Sequence, residues 1–495
     1  MTSISAAVSS TKFKKLEEYT EKNKSGYQLL PFRFIRLDVS RYVLTNEVGE
    51  FIVIADQLLQ PIIAGEIEQE SELFHSLKSK HFILDEDSNC ALDLLALKVR
   101  SKYGRIADFT SLHMFVVSLR CDHSCPYCQV SRQSEDRVAF DMSTETAAKC
   151  LDFTFRSPSH NIKIEFQGGE PLLNFELIQW IVLEAKRRNL EHQKNLQFVI
   201  TTNLSQLNDE ILAFAADNKM LFSTSLDGPE PLHVANRPRP GGDSYKKTVD
   251  GIQRIRASYG PDNVSALMTT TEASLPLVKE IIDEYVTQGF NSIFLRPLSP
   301  YGFAMKTKWF NAYDTERWLK FYFEGLEYIL ELNKRGLAFR ESYAGIILSK
   351  MFSPLGTPYV DLQSPAGMGI SAIAFNYDGE VYASDESRML AEMNDKTFRL
   401  GNIHDDSYED IMLSDNLLNA LELSITESVP ACNDCGFQPY CGSDPTYHHA
   451  TQKDTIGHKM FSGFCKRNMT VMRKLITLLT DDPEAREILL GWIKI

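Results

Sequence analysis

The chain has 495 residues, of which 43% are hydrophobic and 24% charged, and its formal net charge is −14. That length supports roughly two to four domains with real apolar cores, in an ordinary soluble globular composition. The acidic balance argues against a general nucleic-acid or anionic-membrane binder, without excluding a local basic patch.

Residues 1–29 are read as a flexible leader. The first 25 residues are polar and lysine-rich, with none of the apolar stretch of about 7–15 residues that marks a signal peptide. No run of about 18 apolar residues suggests a membrane span, so a cytoplasmic location is expected. A small α+β module is expected at 30–105. It opens with alternating runs at 32–37 and 41–45, and a turn at 46–49 followed by the run 51–54 completes a hairpin. Amphipathic helices follow, with Leu73, Phe74 and Leu77 on one apolar face and Leu92, Leu95 and Val99 on another.

Across 106–308 strands alternate with helices. Strands are predicted at 114–120, 162–167, 197–201, 221–226, 264–269 and 292–296. Helices are predicted at 144–155, 175–188, 210–217, 245–258 and 275–287. Such alternation argues for a parallel α/β structure, either an open sheet or a partial barrel. In both, ligands bind beyond the carboxyl ends of the strands. Residues 309–365 read as a helical, aromatic-rich linker (Trp309, Trp318, Phe321, Tyr322, Phe323), most simply a packing layer. A hairpin with its turn at Asp378-Gly379 is predicted from 370. The region 366–495 ends in irregular, cysteine-bearing sequence that metal ligation would order.

Seven of the nine cysteines fall in two groups. Cys121, Cys125 and Cys128 form a C-x3-C-x2-C loop directly after the first strand of the α/β region, with Tyr127 just before the last cysteine. Three thiolates can hold three irons of a [4Fe–4S] cluster and leave the fourth iron open to a small molecule. A zinc site would need a fourth ligand, for which His123 is at hand, and a disulfide is disfavoured without a secretory signal. Cys432, Cys435, Cys441 and Cys465 supply four thiolates, enough to close a cluster completely or to build a zinc knuckle. Cys150 reads as a core residue, and Cys90 as structural.

Polar residues gather at successive strand ends. The second strand ends in Gly168-Gly169-Glu170-Pro171. The two glycines allow close backbone approach, and Glu170 can accept hydrogen bonds from an ammonium group. Thr201, Thr202 and Asn203 close the third strand; Ser225 and Asp227 close the fourth. Packing alone does not explain this pattern.

The cysteine loop and the Gly-Gly-Glu segment together resemble the radical S-adenosylmethionine (SAM) enzymes. The resemblance implies a partial (β/α)6 barrel in which Cys121, Cys125 and Cys128 hold a [4Fe–4S] cluster whose unique iron is chelated by SAM. Gly168, Gly169 and Glu170 then contact the methionyl amine, while Asn203, Ser225 and Asp227 lie near its carboxylate or the ribose. It also implies one-electron cleavage of SAM to a 5′-deoxyadenosyl radical that abstracts hydrogen from a C–H bond.

The second cysteine group resembles the SPASM extension of peptide-modifying radical SAM enzymes, which carries two auxiliary clusters. Here three of that family's cysteine positions are replaced, by Ala366, Ser384 and Pro445, and all three belong to one cluster. The resemblance therefore implies one auxiliary [4Fe–4S] cluster on Cys432, Cys435, Cys441 and Cys465, two clusters in all. Asp385 stands where sulfatase-maturing members place a proton-accepting aspartate, although a solvated hairpin aspartate is the plainer reading.

The module at 30–105 resembles the PqqD-like elements that capture leader peptides by strand addition. Over nearly its whole length the chain resembles the B-type radical SAM maturases of His-Xaa-Ser systems, on segments 30–37, 120–131, 236–245, 294–302 and 437–442. That likeness implies a peptide or protein substrate rich in His-Xaa-Ser repeats, a second radical SAM protein, a small accessory protein and an external one-electron reductant. A small-molecule substrate, or a non-catalytic iron–sulfur scaffold for a partner enzyme, is the alternative.

Overall fold

The alternating run predicted at 32–54 builds a sheet in the computed structural model, which describes residues 26–357 and 359–493. Strand β1 (Gln28–Leu29) precedes three antiparallel strands, β2 (Phe32–Arg36), β3 (Arg41–Asn46) and β4 (Phe51–Ala55), in the order β2-β3-β4. β1 pairs with β5 (Ile83–Leu84). The β3–β4 turn uses Gly49 at φ +87°, and the Asn46 carboxamide oxygen accepts from the backbone of Val48 and Glu50. Tyr27, Leu44, Ile54, Phe74, Leu77 and Phe82 form the core of this first unit, which the chain divides off at Val99. The expected leader falls, as far as residue 25, outside the described residues.

Two expectations for this unit need correction. Ser71 caps the helix Glu72–Ser79, which buries Phe74 and Leu77 as its periodicity predicts. In the helix Ala91–Tyr103, however, Leu92 is 57% exposed and no residue is buried. On the predicted face Leu95 and Val99 are half-buried, so it is covered in part and not buried. Cys90 is exposed as well, so it packs nothing.

The second unit, Arg100–Ile495, is built on one eight-stranded sheet. β6 (Leu112–Ser118), β7 (Asn161–Gly168), β8 (Asn195–Thr202), β9 (Leu221–Ser225) and β10 (Val264–Leu267) run parallel. Six of the seven residues of β6 are buried, as a central strand covered on both faces requires. The intervening helices Thr144–Phe155, Phe175–His192, Asp209–Asp217, Ser244–Tyr259 and Val278–Thr287 lie within a few residues of their predicted bounds. Phe115, Ile164, Phe166, Phe198, Ile200 and Phe222 anchor the core, and Cys150 is buried in it.

The strand predicted at 292–296 is not the sixth member of this sheet. It shrinks to β11 (Ser292–Ile293), which pairs with β12 (Arg340–Glu341). The Leu295 N–H is diverted to the buried carboxylate of Glu341 at 3.2 Å, and Pro297 offers no donor. The sixth parallel strand comes instead from the C-terminal hairpin. β13 (Ala372–Phe375) pairs parallel with β6, and β14 (Glu380–Tyr382) and β15 (Arg399–Asn402) continue the sheet antiparallel. Gly379, at φ +84°, makes the predicted turn. The sheet is open, with β10 and β15 as its edges. Trp318, Phe321 and Tyr322 are buried on the helix Thr315–Lys334, as a packing layer requires. Among the described residues no helix is long and apolar enough to cross a membrane.

Truncating Phe74 to alanine is expected to destabilise the first unit by about 3–5 kcal/mol. Amide hydrogen exchange should accelerate at Val43 and Leu44 and stay unchanged in β6. Unaltered exchange at Val43 would contradict the assigned core.

Candidate functional site

The cysteine loop leaves the carboxyl end of β6 and is pinned on three sides. Gly169 N–H donates to Ser118 O at 2.8 Å, and Glu170 N–H donates to Arg120 O at 2.7 Å. A Cβ on Gly168 would stand 1.9 Å from Ser118 O, and one on Gly169 would stand 2.4 Å from Arg120 O. The two glycines are thus required by the chain's own backbone crossing, whatever ligand they also face. On another side Ser124 N–H donates to Pro238 O at 2.7 Å. On the third, Phe303 N–H donates to Cys128 O at 2.7 Å, next to Gly302 at φ +59°. Arg120 anchors the loop's start through a paired bond to Asp141, at 2.7 and 2.8 Å.

Cys121, Cys125 and Cys128 open onto one cavity of about 540 Å³. Gly168, Gly169, Asn203 and Ser225 share its wall, so these predicted residues do converge beyond the strand ends. Glu170 and Asp227 do not line it. Glu170 is fully buried, and its carboxylate accepts from Leu172 N–H (3.0 Å), Thr202 Oγ1 (2.6 Å) and Asn203 N–H (2.8 Å), tying β7 to β8. Burial pushes its pKa up to about 7 against the pull of those three donors. Asp227, also buried, accepts from the Tyr127 hydroxyl at 2.5 Å and from Arg237 at 3.1 and 3.3 Å.

Arg237 is the residue the sequence reading missed. It lines the cavity, its guanidinium is held by Asp227, and its field acts on the Cys125 thiol. The only signal was an arginine set between helix and proline in 236–240. Beside it, Asp122 gathers His123 (2.9 Å), Asn203 (3.0 Å), Gln206 (3.2 Å) and Arg239 (3.3 Å). Burial opposes its ionisation, but these bonds hold its carboxyl below the usual range. Cys121, Asp122 and His123 have ligand atoms within 4.8 Å of one another. Asp122 is nevertheless fully engaged with side chains, which disfavours the single-ion zinc reading.

On the opposite wall stand Ser384, Asp385 and Glu386. Ser384 caps the helix Asp385–Ala391 through a reciprocal bond with Ser387, and Asp385 is paired with the buried Arg388 at 2.9 and 3.0 Å. Ala366 and Pro445 are buried, and neither side chain can ligate. The four later cysteines feel one another's charge: Cys432, Cys435 and Cys441 all act on Cys465. Phe437 N–H points at Cys435 Sγ (3.4 Å) and Asn468 Nδ2 at Cys441 Sγ (3.7 Å).

The donor chemistry fits iron–sulfur clusters at both places. Burial pushes the Cys125, Cys432 and Cys465 thiols up to about 12 and Cys435 to about 11, and it raises Cys121 as well. Without a strongly positive group these sulfurs keep their protons; bound to iron they lose them. N–H donors aimed at sulfur are the surroundings such thiolates require. At the first group His123 N–H lies 3.4 Å from Cys121 Sγ, and the buried His123 Nε2 on the cavity wall has no partner.

Residues 115–291 match the family model of the Radical SAM superfamily, so this stretch is a radical SAM domain. An uncharacterised protein of Methanocaldococcus jannaschii is 29% identical over 184 residues, covering 37% of this chain and 61% of that protein. The chain thus spans under two thirds of that relative's length. A cysteine-type anaerobic sulfatase-maturating enzyme of Clostridium perfringens is 23% identical over 348 residues, covering 67% of this chain and 87% of the relative. Among solved structures, native anSMEcpe with bound AdoMet aligns at TM-score 0.60 and 16% identity, over 75% of this chain and 99% of that one. Streptococcus suis SuiB bound to its precursor peptide SuiA aligns at TM-score 0.51 and 13% identity, over 87% and 98%. At these identities the two structures speak to fold, and the fold agrees.

Asp227→Asn is expected to cost about 3–5 kcal/mol, because it leaves the Arg237 charge buried and uncompensated. Urea unfolding of the metal-free protein measures it. A change below about 1 kcal/mol would show that Arg237 finds another partner.

Proposed function

We propose that the chain is a radical SAM enzyme that modifies a ribosomally made peptide or protein at a C–H position, and that its substrate carries His-Xaa-Ser repeats. The observation that carries the reading is the convergence of Cys121, Cys125 and Cys128 with Gly168, Gly169, Asn203 and Ser225 on one cavity, inside the stretch that matches the Radical SAM superfamily. Peptide or protein modification is supported by the sulfatase-maturating relative and by the likeness to SuiB. The His-Xaa-Ser substrate, a second radical SAM protein and an accessory protein rest on the sequence resemblance.

Cys121, Cys125 and Cys128 would hold the SAM-binding [4Fe–4S] cluster, and Cys432, Cys435, Cys441 and Cys465 the auxiliary one. Bound there together with SAM, such a cluster would supply the one-electron chemistry of the family. The protein's work is placement. The Gly168–Gly169 backbone sets the depth of the cavity beside the cysteines. Asn203 and Ser225 offer hydrogen bonds to polar groups of the cofactor, and Arg237 presents a fixed cation to a carboxylate. The walls around them limit water at the reacting carbon. Ser384, Ala366 and Pro445, standing where the family resemblance expects cysteines, support a single auxiliary cluster. The first unit, whose three-stranded sheet is bordered by β2 and β4, suits capture of an extended leader by strand addition. An external one-electron reductant and a cytoplasmic setting complete the proposal.

Anaerobic reconstitution with iron, sulfide, SAM and reductant is expected to give 5′-deoxyadenosine, and a Cys125→Ala variant with its auxiliary cluster intact to give none above background. Product equal to that control would refute the radical reading. Iron analysis should return about eight atoms per chain, for two cubane clusters. About twelve would restore the missing auxiliary site.

A further inference from the structure

Asp385, the aspartate singled out by resemblance, is committed to holding Arg388. Both Arg388 Nε and one terminal nitrogen donate to its Oδ1. Arg388 is itself buried, so the pair cannot separate without stranding a charge. Its neighbour is arranged differently. Glu386 is half-buried and lines the same cysteine-bearing cavity. Its own backbone N–H bonds to it, and among the described residues no side-chain hydrogen bond holds it.

The surroundings of Glu386 are unusual for a carboxylate with no partner. Asp361 and Arg296 line the same cavity, and with Glu386, Tyr359 and Asp444 they also line a second, smaller chamber of about 40 Å³ behind it. That chamber has room for about one water. Charges of both signs surround Glu386: Asp361, Asp385 and Asp444 oppose its ionisation, Arg296 favours it, and Arg467, which acts on Asp361 and Asp444, lines the smaller chamber with it. The Tyr301 and Tyr359 phenols nearby are raised well above their usual range and stay neutral. These carboxylates flank the positions where the SPASM resemblance expects cysteines: Asp385 and Glu386 follow Ser384, and Asp444 precedes Pro445. In place of a cluster, the chain puts acids that share few cations.

We propose that Glu386, and not Asp385, is the acid–base residue of the cavity: it takes a proton from an N–H, O–H or S–H group of the substrate, with Asp361 sharing that proton. In the transfer the substrate X–H bond breaks, its electron pair stays on X, and an O–H bond forms on Glu386. This assignment rests on the radical SAM reading for its substrate and on the cavity for its geometry. Burial and the facing carboxylates place the Glu386 pKa at about 7. The group is therefore protonated below that pH and able to accept a proton above it, which is where a neutral-pH base works best. The sign follows: substrate modification should rise as pH increases through about 7 and then level off.

Two measurements test it. Infrared difference spectra of the full-length protein, titrated across neutrality, should show protonated-carboxyl absorption lost near pH 7. Glu170 contributes its own absorption there, so the readout is the difference between variants. Glu386→Gln should remove part of the band and Asp385→Asn should not. A band of equal size in Glu386→Gln, or one that shrinks only in Asp385→Asn, overturns the proposal. In the second measurement a synthetic peptide of His-Xaa-Ser repeats is the probe. The ratio of modified peptide to 5′-deoxyadenosine should fall about 100-fold in Glu386→Gln and recover in part in Glu386→Asp with a shifted pH profile. An unchanged ratio overturns the assignment. If the wild type makes no 5′-deoxyadenosine, the radical reading fails, and the infrared arm still decides Glu386.

Discussion

The site depends on one backbone crossing. Where β7 ends, Gly168 and Gly169 pass against Ser118, Leu119 and Arg120 with no room for a side chain, and two N–H groups close the crossing with bonds to Ser118 and Arg120. This contact fixes the start of the cysteine loop relative to the sheet. It also turns Glu170 inward, so that its carboxylate reaches the end of β8 and sets the position of Asn203. Asn203 then reaches back to Asp122 in the cysteine loop. The circuit from loop to strand end and back to loop is closed by hydrogen bonds, and the cavity is what the circuit encloses.

The acidic residues nearest the cavity are mostly spent on holding it together. Glu170 ties two strands, Asp227 holds Arg237 and Tyr127, Asp122 organises His123, Asn203 and Arg239, and Asp385 holds Arg388. A buried carboxylate without a partner is costly, so a fold that needs several of them inside must pair nearly all. Beside the cysteines the cavity is therefore lined by backbone, amide, hydroxyl and the braced Arg237 guanidinium, with Arg296, Asp361 and Glu386 also on its lining. That surface suits a zwitterionic ligand with a ribose better than it suits a bare metal ion.

Much of this was legible in the sequence where local chemistry decides. β6 shows as an apolar run because both its faces are covered, β7, β9 and β10 show as alternation of buried with more exposed residues, and the Gly-Gly and Cys-x3-Cys-x2-Cys patterns mark strand ends. The failures are all long-range. Nothing near 292–296 says that Glu341, far along the chain, will take the Leu295 N–H. Nothing in the spacing of Leu92, Leu95 and Val99 says whether anything covers that face. The motif at Gly168–Glu170 pointed to a stretch whose two glycines line the cavity. It could not say that the carboxylate would point into the sheet while the glycines formed the wall. Arg237 escaped because its partner, Asp227, reads as a ligand residue until the geometry shows the two paired.

The four later cysteines and the three replaced cysteine positions have different surroundings. The four cysteines at 432, 435, 441 and 465 are braced by the Phe437 N–H, by Asn468 and by the buried Lys459, whose charge acts on three of the sulfurs. Removing any one would leave donors and a cation facing an empty place. At Ser384, Ala366 and Pro445 no such surroundings remain. Ser384 bonds its own helix, Ala366 packs in the core, and Pro445 starts another helix. The polar groups left beside those positions are carboxylates and arginines, which bind protons and not iron–sulfide. An anionic cluster bound there would meet Asp361, Asp385, Glu386 and Asp444 at close quarters. On the proposed reading, the acids beside Ser384 and Pro445 would handle protons at the place where the family resemblance puts a cluster.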